Sequence, residues 1–206
     1  MAIHDDPPAL TPGERMAEVR ARDREATTFE GLVRDASEAD MAAVSDIYAH
    51  YVLHSLATFE ETPPTREELL ARRRASVERG LPYLVAEAHG KTLGFAYAAE
   101  YRARPAYRFT IEDSVYVAEG LSGQGIGSAL LGEVIARCER GPWRQMLAVV
   151  GDSENAGSIA LHRRFGFELV GVLRSVGFKF GRWVDTPVLQ RSLGLGDSQS
   201  PGAASP

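Results

Sequence analysis

The sequence predicts a mixed α/β or α+β sheet protein, and three stretches carry that prediction. Val115–Arg140 reads as strand, glycine loop and helix. An apolar run, Val115-Tyr116-Val117, is followed by glycines at 123, 125 and 127. Apolar residues then fall at Leu130, Leu131, Val134, Ile135 and Cys138, the spacing of one helix face. Two apolar runs, Leu84–Ala88 and Thr92–Glu100, flank His89-Gly90-Lys91 and form a hairpin signal. The stretch Gln145–Val150 is a strand of near-continuous apolar character.

The remaining elements follow in chain order. Residues 1–28 carry Pro7, Pro8, Pro12 and many charges but few large apolar groups; they read as a tail, with one helix candidate at Glu14–Arg24. The ordered domain is expected to begin near Phe29 and to run to residue 194. Leu32-Val33-Arg34 is a short strand. Asp35 to Asp40 holds helix-start residues, and Met41, Val44, Ile47, Tyr48 and Tyr51 give the next helix its apolar face. Thr58–Pro64 breaks that pattern, and Thr65 with Glu68 forms a capping box for a helix over Arg66–Arg79. After the hairpin, Tyr101–Tyr107 is rich in arginine and aromatic residues, and Phe109–Val117 is the strand leading into the glycine loop. Asn155 starts a helix that ends before Gly166, and Phe167–Val172 and Val184–Leu193 are the last two strands. From Leu195 the chain is dominated by Gly, Ser, Pro and Ala, the composition of a disordered tail.

Composition excludes several classes. A net charge of −5 and the lack of a long basic run argue against a nucleic-acid surface. Arg72-Arg73-Arg74, the densest basic cluster, is assigned to the solvated face of a helix. Cys138 is the only cysteine, so neither an intrachain disulfide nor a cysteine-rich zinc site can form, and no metal is expected. No apolar run reaches 18 residues and no signal sequence is recognisable, so a cytoplasmic protein without membrane partners is expected.

The glycine loop points to an anion. Glycines let a backbone approach a ligand closely, and the first turn of a helix leaves N–H groups unpaired. Such groups bind phosphate or pyrophosphate. The spacing is G-x-G-x-G rather than the G-x-G-x-x-G of dinucleotide folds, and Gly-Lys-Ser/Thr of a P-loop is absent. The alternative is a tight strand-to-helix turn with no ligand.

Ser122-Gly123-Gln124-Gly125-Ile126-Gly127 resembles the acetyl-CoA motif of the GCN5-related N-acetyltransferase (GNAT) superfamily, Gln/Arg-x-x-Gly-x-Gly/Ala, with Ser122 where the family has Gln or Arg. A second signature, Asn155, then a residue seven positions on, then Gly166-Phe167, is also similar, with His162 where many members carry Tyr. Arg104–Arg108, Thr110–Val117 and Gly177–Asp185 resemble the phosphinothricin and methionine-sulfoximine acetyltransferase branch, over about Leu32 to Leu193. The resemblance implies the GNAT acyl-CoA N-acyltransferase fold, a mixed, mostly antiparallel central sheet flanked by helices. It implies acetyl transfer from acetyl-CoA to the primary amine of a small amino-acid-like substrate, in a ternary complex and as a homodimer.

It also implies roles. An ammonium cannot attack a thioester until a base removes a proton; Glu112 is the candidate base. His162 is the candidate acid for the leaving thiolate, since an imidazole donates near neutral pH, and acting as base is its alternative. A backbone N–H of Val115, Tyr116 or Val117 would stabilise the oxyanion. The other N–H groups of that strand and of Gly123, Gln124, Gly125, Ile126, Gly127 and Ser128 would hold pantetheine and pyrophosphate, with Ser158 beside them. Asn155 would bind the pantetheine arm, cap its helix, or both. Arg104 would pair with a substrate carboxylate bidentately, with Arg102, Tyr107 and Arg108 as alternatives. Ser114, Phe59, Glu60 and Glu61 complete the acceptor side. Two other readings stay open: the same fold acting on a protein N-terminus, a lysine or an aminoglycoside, and a non-catalytic acyl-CoA-binding module.

Overall fold

The computed structural model describes residues 29–201. The helix candidate at Glu14–Arg24 and the rest of the expected N-terminal tail lie outside the described residues. Seven strands form one sheet in the order β1-β2-β3-β4-β5-β7-β6. They are β1 (Leu32–Asp35), β2 (Tyr83–Ala88), β3 (Lys91–Glu100), β4 (Thr110–Val117), β5 (Gln145–Val149), β6 (Glu168–Lys179) and β7 (Arg182–Ser192). Four α-helices flank it: α1 (Met41–His54), α2 (Arg66–Glu78), α3 (Ile126–Cys138) and α4 (Ala156–Arg164). Every pairing is antiparallel except β4 with β5, which α3 joins as a crossover.

Local signals set most boundaries. The β2–β3 turn is His89-Gly90, both at positive φ (51° and 71°), as a two-residue hairpin of primed type needs. Thr65 accepts a bond from the Glu68 N–H at 3.2 Å while the Glu68 carboxylate accepts from the Thr65 N–H at 2.7 Å, closing the expected capping box. The last hairpin is longer than the sequence suggests. β6 runs on through Lys179 and turns at Phe180-Gly181 (φ 51° and 75°). The expected break after Val172 is a register shift between Leu173 and Gly177, with Ser175 at φ 52°; the bulge interrupts the apolar pattern without ending the strand. Of the expected C-terminal tail, residues 195–198 form turns, with Gly196 N–H on Leu193 O and Ser198 N–H on Leu195 O.

Side-chain alternation divides the core in two. On one sheet face Leu84, Ala86, Ala96, Ala98, Ile111, Met146, Ala148 and Leu189 pack against Ile126, Leu130, Leu131, Val134, Ile135 and Cys138 of α3. On the other, Tyr83, Val85, Phe95 and Tyr116 pack against Met41, Val44, Ile47, Tyr48 and Val52 of α1 and Leu69 of α2. This second face is an aromatic stack: Tyr83 lies on Tyr97 at 5.0 Å between centroids, and Phe95 on Tyr116 at 5.0 Å.

Two features position the site. First, β4 and β5 pair only from Thr110–Gln145 to Asp113–Ala148 and then part. Second, the loop after α1 is tied across the sheet. The buried ammonium of Lys179 donates to Ser55 O and Thr58 O, each at 2.8 Å. A side chain on Gly151 would lie 2.1 Å from Leu56 O, so the loop passes against the backbone after β5. Phe59 lies on Gly177 in the same way. Among the described residues no helix is long and apolar enough to cross a membrane.

Replacing Lys179 by Met keeps the stem and strands two buried carbonyls. Chemical denaturation is expected to show a loss of about 1–3 kcal/mol, with faster amide exchange confined to residues 55–61.

Candidate active site

Where β4 and β5 part, a cleft of about 620 Å³ opens. Its walls are Asp113–Val117 on one side, Ala148–Gly151 on the other, the start of α3, and one face of α4 including Asn155, Ser158 and His162. The parting leaves backbone groups without strand partners. Ala118 N–H bonds Leu93 O, so by antiparallel alternation Ser114 and Tyr116 turn their amides to β3, and Val115 and Val117 turn theirs to the opening. Val117 is already engaged: the Tyr51 hydroxyl donates to its carbonyl at 2.8 Å and accepts from its N–H at 3.3 Å. Val115 therefore presents the strand edge to a ligand. Of the three strand amides expected to do so, Tyr116 faces β3 and Val117 is occupied by Tyr51, a hydrogen bond that strand patterning cannot reveal.

At the end of the cleft Gly123 and Gly125 take φ of 80° and 79°, which a side chain would strain. Gly125 is the N-cap of α3 and provides no side-chain bond to the helix, so the first-turn amides face the cleft uncapped. Gly123, Gly125, Ile126, Gly127 and Ser128 line it; Gln124 does not, because the turn carries it outward. The guanidinium of Arg164, at the end of α4, reaches the Ser128 hydroxyl at 3.3 Å and brings a positive charge to this end. Asn155 caps α4, its side-chain oxygen accepting from Ser158 N–H at 3.1 Å, which leaves its amide NH₂ as the group for a ligand.

The two expected catalytic groups sit on opposite faces of β4. His162 is buried on the α4 side. Its Nδ1 is 2.7 Å from the Ser158 carbonyl and its Nε2 2.9 Å from Asp113 Oδ2. Burial would lower its pKa, but the hydrogen bond and charge of Asp113 outweigh that and raise it. Glu112 faces the aromatic stack, one residue away in sequence but across the sheet. Burial, then the neighbouring charge of Asp113, push its carboxyl up to about 7. Glu112 and His162 are thus linked through Asp113 and not by contact.

The acceptor-side residues are more scattered. Ser114 lines the cleft; Glu112, Phe59, Glu60, Glu61, Arg102, Arg104, Tyr107 and Arg108 do not. Arg102 lies over the rings of Tyr101 and Tyr107, at 4.9 and 5.7 Å, and Arg108 over Phe109 at 4.5 Å. Arg104 is exposed at the start of a single 3-10 turn, Pro105–Tyr107. Glu60 holds Arg72 in an ion pair at 2.6 Å and accepts from the Tyr48 hydroxyl at 3.0 Å. Arg72 and Arg74 are exposed, as expected of a solvated helix face, but Arg72 is tied by this ion pair to the loop after α1. Sequence reasoning missed Tyr51, Asp113 and Arg164. For Asp113 a signal existed: it is a charge between Ile111 and Val115 on the apolar face of a strand.

Comparison with known proteins agrees with this geometry. Residues 33–188 match the Acetyltransferase (GNAT) domain. The chain is 56% identical over 169 residues to a phosphinothricin N-acetyltransferase of Alcaligenes faecalis, covering 82% of this chain and 86% of that one. It is 37% identical over 161 residues to an L-methionine sulfoximine/L-methionine sulfone acetyltransferase of Salmonella typhimurium, covering 78% and 94%. A crystal structure of a GNAT superfamily phosphinothricin acetyltransferase from Sinorhizobium meliloti, in complex with acetyl-CoA, superposes with a TM-score of 0.82 at 45% identity, covering 84% of this chain and 94% of that one. With its sheet parted after Asp113 and a glycine-capped helix facing the gap, this chain belongs to the GNAT acetyltransferase family.

Proposed function

We propose that the protein is an N-acetyltransferase that moves acetyl from acetyl-CoA to the primary amine of a small amino-acid-like substrate of the phosphinothricin or methionine sulfoximine type. The carrying observation is the uncapped, glycine-flanked helix N-terminus that faces the cleft, with half-buried Glu112, its carboxyl pushed up to about 7 by burial, on the strand that leads into it. A base with that pKa is matched to taking a proton from an ammonium at neutral pH. The pyrophosphate is assigned to the amides at the start of α3, with Arg164 as the cation beside them. The Val115 amide is assigned to the pantetheine or the oxyanion, and the Asn155 amide group to the pantetheine arm. His162 is assigned as the acid for the departing sulfur.

The acceptor carboxylate is assigned to the Arg102–Arg108 loop, with Arg104 as the candidate clamp. This loop enters β4 two residues before Glu112, roughly 7 Å along the strand. Three arginines there disfavour a cationic aminoglycoside and favour an anionic amino acid. The names of the relatives point the same way. We assign the reaction to the cytoplasm, where acetyl-CoA is made and where a lone buried thiol such as Cys138 stays reduced. We also propose a homodimer through β6 and β7. Val170, Leu173, Val176, Phe178, Phe180 and Trp183 are all exposed on that hairpin, an apolar surface on an edge strand that a monomer rarely tolerates. A domain spanning 29–194 is consistent with all of these assignments.

A thiol-release assay with acetyl-CoA against a panel of amines tests the function. Turnover is expected with phosphinothricin or methionine sulfoximine and not with kanamycin or a lysine peptide; the reverse order would overturn the acceptor class. Glu112→Gln is expected to lower kcat on the order of a hundred- to ten-thousand-fold with little change in acetyl-CoA affinity. The sign of the pH dependence follows from the raised pKa. The base works deprotonated, so kcat/KM should fall about tenfold per unit below pH 7, where an ordinary carboxylate would hold activity to about pH 4–5. Gly125→Val strains a left-handed backbone and puts two methyl groups at the helix start; calorimetry should show weakened CoA binding by a folded protein. Light scattering at micromolar concentration should give twice the chain mass, and Trp183→Glu should give the monomer.

A further inference from the structure

We propose that Asp113 is the positioning residue of the acetyl transfer. It holds His162 as an imidazolium in the cleft wall and so sets the pH range in which a proton is ready for the departing CoA sulfur. The proposal rests on the reading of His162 as the acid.

The hydrogen-bond geometry favours one charge state, since the Ser158 hydroxyl, which could donate to Nδ1, lies farther from it (3.4 Å) than the Ser158 carbonyl does. A carbonyl oxygen only accepts, so the 2.7 Å contact between Nδ1 and Ser158 O puts a hydrogen on Nδ1. A neutral ring would then turn the lone pair of Nε2 toward the Asp113 carboxylate 2.9 Å away, which is repulsive. The contact is favourable only if one further proton lies between Nε2 and Oδ2. The side chains of His162 and Asp113 are 6% and 1% exposed, so both bonds are kept from bulk water, while the ring still lines the cleft where the sulfur departs. A raised His162 pKa agrees with this.

Among the described residues, Asp113 is the one charged group shown acting on the ring. On α3 the Cys138 thiol is pushed up to about 12 by burial and by Asp113, so it stays neutral. Phe167 meets the ring edge-on at 5.1 Å. Glu112 lies beyond β4 on the other sheet face, and Arg164, two residues along α4, is directed to Ser128. Asp113 Oδ1 is buried with no hydrogen-bond partner among the described residues, although Asp113 lines the cleft. A carboxylate left half-satisfied beside a reaction site points to a role beyond packing.

The proton count balances. One ammonium proton leaves through Glu112 to solvent, and the amine lone pair forms the C–N bond. When the C–S bond breaks, its electron pair stays on sulfur, and sulfur draws the Nε2 proton out of its hydrogen bond with Asp113. The ring is left neutral with Nδ1–H still on Ser158. The second nitrogen proton, lost as the amide forms, restores the pair. One proton is released per turnover.

The test uses the full chain with ¹⁵N-labelled histidine. Nitrogen NMR of the unaltered protein should show both ring nitrogens of His162 protonated at pH 7.5. Asp113→Asn should lower the His162 pKa by at least one unit, move the alkaline limb of kcat down by the same amount, and leave the acetyl-CoA KM within twofold. A neutral His162 ring at pH 7.5 in the unaltered protein overturns the proposal even if the variant fails to fold. A variant whose kcat profile does not move while its His162 pKa falls overturns it as well. His162→Gln separates the two ideas: unchanged kcat sinks His162 as the acid, whereas the ring titration still reports whether Asp113 sets its charge.

Discussion

The cleft of this molecule depends on the parting of β4 and β5 after four paired residues. Parallel strands joined by a crossover helix ordinarily stay paired along their shared length. Here β5 ends its ladder with β4 at Ala148 and stays with β7 through Val149. That leaves the edge of β4 from Ser114 to Val117 without a strand partner on that side. Buried backbone amides must be satisfied, so the exposed edge is a demand for a ligand with peptide-like groups. Tyr51 meets part of that demand by gripping Val117, which narrows what remains to Val115.

The same strand divides its chemistry by side-chain alternation. Even-numbered residues Glu112, Ser114 and Tyr116 face the aromatic layer under α1 and α2, and odd-numbered Ile111, Asp113 and Val115 face α3 and α4. Two carboxylates at adjacent positions are thereby kept on opposite faces, where burial and then the charge of Asp113 raise the pKa of Glu112. One is paired to a histidine and the other has no ion pair among the described residues, so their environments differ. The loop after α1 closes the remaining side. Lys179 ties it to β6, and Glu60 extends the tie to Arg72 and Tyr48. The loop after α1 is therefore anchored on the same hairpin that carries the exposed apolar surface.

The sequence by itself determined most of the elements and the glycine loop at the end of the cleft. Periodicity, the His89-Gly90 turn, the Thr65–Glu68 box and the glycines before α3 are local features, encoded within a few residues of where they act. Asn155 as a helix cap was legible for the same reason. What only the tertiary structure decided involves residues far apart in the chain: Tyr51 on Val117, Arg164 on Ser128, Lys179 under the loop at 55–59, and Asp113 against His162. The length of β6 was hidden because an exposed edge strand with a bulge has no buried face to impose a period of two. The separation of Glu112 from His162 was hidden because spacing along the chain does not show which face of the sheet each side chain takes once α4 has docked.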